Sequence, residues 1–249
     1  MTSQQPVDIH GKPYNRSLLV GVLLIGTFCT ILNQTLLTTA LPTLMKEFDI
    51  SASSVQWLTT GFLLVNGIMI PISAWLINKF SSKKLYITAM STFLIGTIIC
   101  FVAQDFGMLL TGRLVQAAGV GVSMPLLQTI MLSIFPPEKR GAAMGTTGIV
   151  IGLAPALGPT LSGWIIDSYT WRDLFGMVIP IVVLVLILAS FLMKNVIQLS
   201  NPSIDVLSVI LSTLGFGSLL YGFSSVGDKG WGSPQVYGFL IVGAIVLCL

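Results

Sequence analysis

Arg113 is the one charged side chain of this sequence that falls well inside an apolar run. A full charge at bilayer depth is costly and marks a function by default. It lies about two turns from one end of its run. Asn33 lies about two turns from the corresponding end of another, and a rise of about 1.5 Å per residue puts the two at one depth. Gln116 stands three residues beyond Arg113, and Ser123 continues that face by way of Val120. Thr27, Thr30, Gln34 and Thr38 form a second polar stripe beside Asn33, and Asn66 sits midway along a third run. Such stripes would line a polar cavity between helices. The alternative for the threonines is routine bonding to neighbouring helices.

No run contains a carboxylate at its middle. Asp105, Asp167 and Asp173 fall near one surface, Glu138 and Asp205 near the other. Arg113 must therefore be satisfied by Asn33, Gln116, carbonyls or water, or by an acid outside this sequence. A proton-coupled carrier needs a titratable group in its pathway, and none is evident here. Cys29, Cys100 and Cys248 lie singly in apolar runs, with neither metal-ligand spacing nor a disulfide framework. No metal site is expected.

The elements that position these residues follow from composition. The chain is 54% hydrophobic and 8% charged, far below the roughly one quarter charged residues of a soluble domain. That specifies an integral membrane protein. The net charge of +3 gives no ground for a nucleic-acid partner. With about 20 apolar residues per span, spans are expected near 17–41, 55–78, 85–103, 107–133, 141–166, 174–194 and 205–225. An eighth starts near Tyr237. If the N-terminus is cytoplasmic, eight basic residues (Lys12, Arg16, Lys79, Lys83, Lys84, Lys139, Arg140 and Lys194) fall inside, against Lys46, Arg172 and Lys229 outside. This is a positive-inside bias. It explains the lysine cluster after span 2 as well as a gating role would.

Span 2 ends on Ser73-Ala74-Trp75-Leu76-Ile77-Asn78 and span 5 on Ser162-Gly163-Trp164-Ile165-Ile166-Asp167. The two ends fall on opposite sides of the membrane, as an inverted repeat of three plus three spans requires. Span 5 also carries Gly141, Gly145, Gly148 and Gly152 on one face, spaced four, three and four apart. Small residues let backbones approach closely in lipid. Pro155 and Pro159 follow and remove backbone donors. A bent helix is expected, with its smooth face against another helix.

Several segments resemble a known family. "LNQTLLTTALP" (32–42), "SAWLINKFSSKK" (73–84), "GRLVQAAGVG" (112–121), "GLAPALGPTLSGW" (152–164) and "WRDLFGMVIPI" (171–181) are similar to motifs of the major facilitator superfamily. The similarity is to the fourteen-span drug:proton antiporters, the EmrB/QacA-like group and its LmrB-like branch. The resemblance implies an all-α membrane fold: a cytoplasmic tail at 1–16, a six-span N-terminal bundle of two inverted repeats at 17–194, and one and a half linker helices at 195–249. The C-terminal six-span bundle would be a partner absent from this sequence. The implied activity is no enzyme's. It is efflux of a small amphiphilic drug through the cell membrane in exchange for protons, with the proton gradient as energy source and no cofactor.

Substrate would meet Asn33, Gln34, Asn66, Arg113, Gln116 and Ser123, and Arg113 would take part in proton coupling. Gly141, Gly145, Gly148, Gly152, Pro155, Gly158, Pro159 and Gly163 would pack against the C-terminal half and govern closure, with Asn78, Lys79 and Lys83 at the gating loop. Two departures stand out: the family commonly has aspartate where this chain has Asn33 and Asn78. Asn33 cannot titrate. Competing readings are a non-transporting half with a structural or regulatory role, and a uniporter or anion-linked carrier.

Overall fold

The computed structural model describes residues 6–9, 11–200 and 206–248; Asp205 and the expected start of span 7 lie outside them. Nine helices are present among the described residues: α1 Arg16–Phe48, α2 Ala52–Lys79, α3 Ser82–Phe101, α4 Phe106–Ile134, α5 Pro137–Ser168, α6 Asp173–Gly176, α7 Val178–Leu192, α8 Val206–Lys229 and α9 Pro234–Cys248. Helices α6 and α7 form one run, so seven runs are long and apolar enough to cross a membrane. The first six expected spans are each found, span 7 corresponds to α8, and the eighth to α9, which begins at Pro234 and at 15 residues is shorter than a membrane span. Helix α1 continues to Phe48, several residues past the expected end, straight through Pro42. It stops at Asp49, whose backbone is left-handed (φ 49°) and whose N–H closes on the Met45 carbonyl.

Local chemistry sets most helix starts. Asn15, Ser51 and Asp105 each accept a first-turn backbone N–H of α1, α2 and α4, which satisfies a donor the helix itself cannot. Pro137 occupies the first turn of α5, where its missing N–H costs nothing.

Helices α1 to α7 form one bundle. The α3–α4 pair is held at backbone contact by glycine: a Cβ at Gly96 would lie 2.6 Å from the Gln116 nitrogen and the Gly112 carbonyl, and one at Gly119 would lie 2.5 Å from the Ala89 carbonyl. Helix α5 packs on α1 through Gly158, where a Cβ would lie 2.2 Å from Thr35 Oγ1. Ser162 adds a bond, donating to the Leu36 carbonyl at 2.8 Å. Helices α8 and α9 make a hairpin that docks on α2, with Trp57 against Tyr221 (ring centroids 6.3 Å apart) and Ser224 donating to Thr60 Oγ1 at 3.4 Å.

The two proposed repeat ends fold alike. Trp75 meets Phe80 edge to face at 6.1 Å, and Trp164 meets Tyr169 edge to face at 5.9 Å. Phe80 and Tyr169 each close their helix by donating to the carbonyl four residues back. Ser73 and Ser162 are both fully buried.

Candidate functional site

The polar centre of the bundle is built from four helices. On α1, Gly26, Thr30, Asn33 and Leu37 recur at spacings of four, three and four and are all buried, so Asn33 is turned inward. Phe62 and the Leu58 carbonyl come from α2, Thr97 from α3, and Arg113 and Gln116 from α4. The close approach of α3 and α4 at Gly96 and Gly112 brings the Gln116 side chain to Thr97.

Arg113 Nη1 donates to Asn33 Oδ1 at 3.0 Å and to Gln116 Oε1 at 2.7 Å, and Nε donates to the Leu58 carbonyl at 3.5 Å. Gln116 Nε2 donates to Thr97 Oγ1 at 2.8 Å, and Thr97 donates to the Phe93 carbonyl at 2.7 Å. The guanidinium also lies over the Phe62 ring, 4.3 Å from its centroid, a cation–π contact that offsets part of its desolvation. Every bond in the chain runs outward from the cation. Arginine only donates, so Asn33 and Gln116 must both present their oxygens to it.

Two features are left over. Asn33 Nδ2 is buried without a hydrogen-bond partner among the described residues. Arg113 Nη2 makes no hydrogen bond among the described residues but, unlike Asn33 Nδ2, is not fully buried. The only ion pair among the described residues is elsewhere, between Arg172 and Glu47 at 3.7 Å. The site therefore has surplus donors and no anion. Breaking up or leaving unpaired a buried charge costs several kcal/mol, so this arrangement calls for an acceptor.

The expected contact residues separate into two groups. Arg113, Asn33, Gln116 and Ser123 are 2, 1, 0 and 4% exposed. They lie inside the bundle. Gln34 and Asn66 are only partly buried. Asn66 packs on α4, with its Oδ1 3.2 Å from where a Cβ of Gly121 would stand. Ser123 donates to the Val120 carbonyl of its own helix at 3.2 Å and takes no part in the arginine network. Thr30 and Thr38 also bond carbonyls of their own helix, those of Thr27 and Thr35. These two hydroxyls therefore neither join the arginine network nor bond a neighbouring helix, which differs from both expectations for the threonine stripe.

The glycine–proline helix divides in the same way. Pro155 and Pro159 sit within a continuous α5. Gly158 is the glycine that packs on α1. Gly141, Gly145, Gly148, Gly152 and Gly163 have open space where a Cβ would stand, so the smooth face has no partner among the described residues. In the loop after α2, Asn78 Nδ2 donates to the Ala74 carbonyl at 2.8 Å, Lys79 lies 4.5 Å over the Trp75 ring, and Lys83 Nζ reaches the Ser190 carbonyl. Three partners were not anticipated from sequence. Thr97 and Phe62 lie in apolar runs with no polar spacing to mark them. Asn195 joins three segments, its side chain accepting the Lys83 N–H at 3.3 Å and its carbonyl the Ile9 N–H at 3.0 Å.

The model of the Major Facilitator Superfamily matches residues 23–249. The uncharacterized MFS-type transporter YcnB of Bacillus subtilis (strain 168) is 59% identical over 242 residues, 97% of this chain and 51% of its own length. The lincomycin resistance protein LmrB of the same organism is 46% identical, over 93% of this chain and 49% of its own length. The chain thus spans about half the length of these curated relatives. Among solved structures, a peptide transporter POT in complex with sulfate has a similar fold, with a TM-score of 0.66 at 15% identity, over 91% of this chain and 50% of that one.

Proposed function

This chain belongs to the Major Facilitator Superfamily, and we propose that it is the N-terminal half of an exporter that exchanges small amphiphilic, drug-like molecules for protons by alternating access. The similarity to a lincomycin resistance protein supports an antibiotic as substrate. The positive-inside distribution supports a cell-membrane protein with a cytoplasmic N-terminus.

The observation that carries the reading is the buried arginine network with surplus donors. Arg113 serves coupling from inside the bundle, by responding to an acceptor, rather than by touching the drug. Gln34 and Asn66, partly exposed, are the polar side chains left to meet substrate. Since Asn33 cannot titrate, the proton-carrying carboxylate belongs to the C-terminal half. That half docks on the open glycine face of α5, beside Pro155 and Pro159.

The test uses the chain joined to its C-terminal half, in proteoliposomes, with lincomycin as probe. Arg113→Ala is expected to abolish lincomycin-dependent proton movement while protein amounts stay normal. Unchanged exchange would remove Arg113 from coupling. The missing carboxylate also favours a second reading, a carrier of an anion that itself supplies the acceptor. In that case transport would persist without a pH gradient.

A further inference from the structure

A second feature lies away from the arginine network, at the end of the bundle where α2 turns into α3. A cleft of about 280 Å³ opens there between α2, α3 and α4. Met69, Leu76, Leu85, Ala118 and Val122 make its walls, and Lys84 stands among the lining residues. No residue of α1 or α5 lines it, so it is separate from the open glycine face. Its volume is just below the roughly 300–1,000 Å³ typical of pockets that enclose drug-sized molecules. The lining is predominantly apolar, with Thr88 and Thr92 as its other polar residues beside Lys84, and a slender hydrocarbon chain is the occupant it suits.

Lys84 supplies the polar end. Three lysines cluster at this turn, and two are engaged: Lys79 on the Trp75 ring and Lys83 on the Ser190 carbonyl. Lys84 is exposed and has no hydrogen bond or ion pair among the described residues. Arg16, Lys139, Arg140 and Lys194 stand at the same end of the bundle, which makes that end a cationic surface. An ammonium at the mouth of an apolar cleft matches an amphiphile with one anionic head. At a membrane surface, basic side chains of this kind attract anionic lipid headgroups.

We propose that the cleft between α2, α3 and α4 is a binding site for an anionic phospholipid, one acyl chain lying between the helices and the headgroup phosphate on Lys84. The protein purified in mild detergent is offered phosphatidylglycerol and phosphatidylethanolamine, and retained lipid is counted by native mass spectrometry. Wild type is expected to retain phosphatidylglycerol in preference. Lys84→Gln should reduce that retention about fivefold, and Lys84→Arg should restore it. Ala118→Phe, which fills the cleft, should lose the lipid with the lysine still in place. Lys84 is exposed, so its variants read out independently of whether Ala118→Phe folds. Equal retention by wild type and Lys84→Gln would overturn the proposal, as would equal retention of the two lipids. Displacement by inorganic phosphate without effect of Ala118→Phe would mean an anion site only. Displacement by lincomycin would assign the cleft to substrate instead; either result overturns the lipid site.

Discussion

A guanidinium offers five N–H donors and accepts nothing, so the chemistry around Arg113 is set by how many acceptors surround it. Asn33, Gln116 and the Leu58 carbonyl supply three. Arg113→Ala would leave the two amide oxygens without their donor, at about 1–3 kcal/mol for each buried unsatisfied group. A lower melting temperature in detergent is the expected result, together with lost proton exchange. Asn33→Asp has the opposite sign. It replaces the unpartnered Nδ2 by an acceptor beside an uncompensated cation. The variant should melt at or above the wild-type temperature, by the equivalent of about 1–3 kcal/mol, and should alter the pH dependence of transport. A fall in melting temperature would mean that Nδ2 has a partner after all; unaltered pH dependence would take Asn33 out of coupling.

Glycine has two different jobs among these helices, and substitution separates them. At Gly96 an added Cβ meets backbone at 2.6 Å, which no rotamer change relieves. Gly96→Ala should destabilise by about 1–3 kcal/mol, the usual cost of overpacking, and should pull Gln116 away from Thr97. Gly148 lies in open space. There Gly148→Ala removes a flexible residue from a helix, worth roughly 0.5–1 kcal/mol, and should leave this chain's melting temperature unchanged or higher. Thermal melting followed by fluorescence-detected gel filtration distinguishes the pair. Equal losses at both positions would mean that the α5 face is packed within this chain. The GxxxG spacing of span 5 alone did not tell these roles apart: glycines that meet a neighbouring helix closely include Gly96, Gly112, Gly119, Gly121 and Gly158.

At the scale of the whole molecule, one face of α5 remains uncovered, with Ile149 72% exposed beside the glycines. Exposed apolar surface on a membrane helix is met either by lipid or by protein, and tight packing needs small residues. If the C-terminal half docks there, Gly148→Leu in the joined protein should lower lincomycin transport at least several-fold, with no change in the amount or melting of this chain expressed alone. Full transport by Gly148→Leu would assign the face to lipid. The lipid cleft on α2, α3 and α4 should be insensitive to this substitution.

Much of this was legible in the sequence because membrane spans obey a local rule. Length and apolarity alone marked each of the spans that the bundle contains, and the paired tryptophan motifs at Trp75 and Trp164 marked two helix ends that fold alike. The depth match of Asn33 and Arg113, read from a constant rise per residue, placed two residues that do bond. Helical spacing also put Gln116 on the face of Arg113. Only the tertiary structure decided what those residues face. It set Asn33, Arg113, Gln116 and Ser123 inside the bundle rather than on an open surface, brought in Thr97 and Phe62 from apolar runs, and left five of the span 5 glycines in open space. The physical reason is that a helix's own sequence determines which residues share a face. Which neighbour covers that face depends on close approaches such as Gly96 to Gly112, contacts between distant segments that no local pattern encodes.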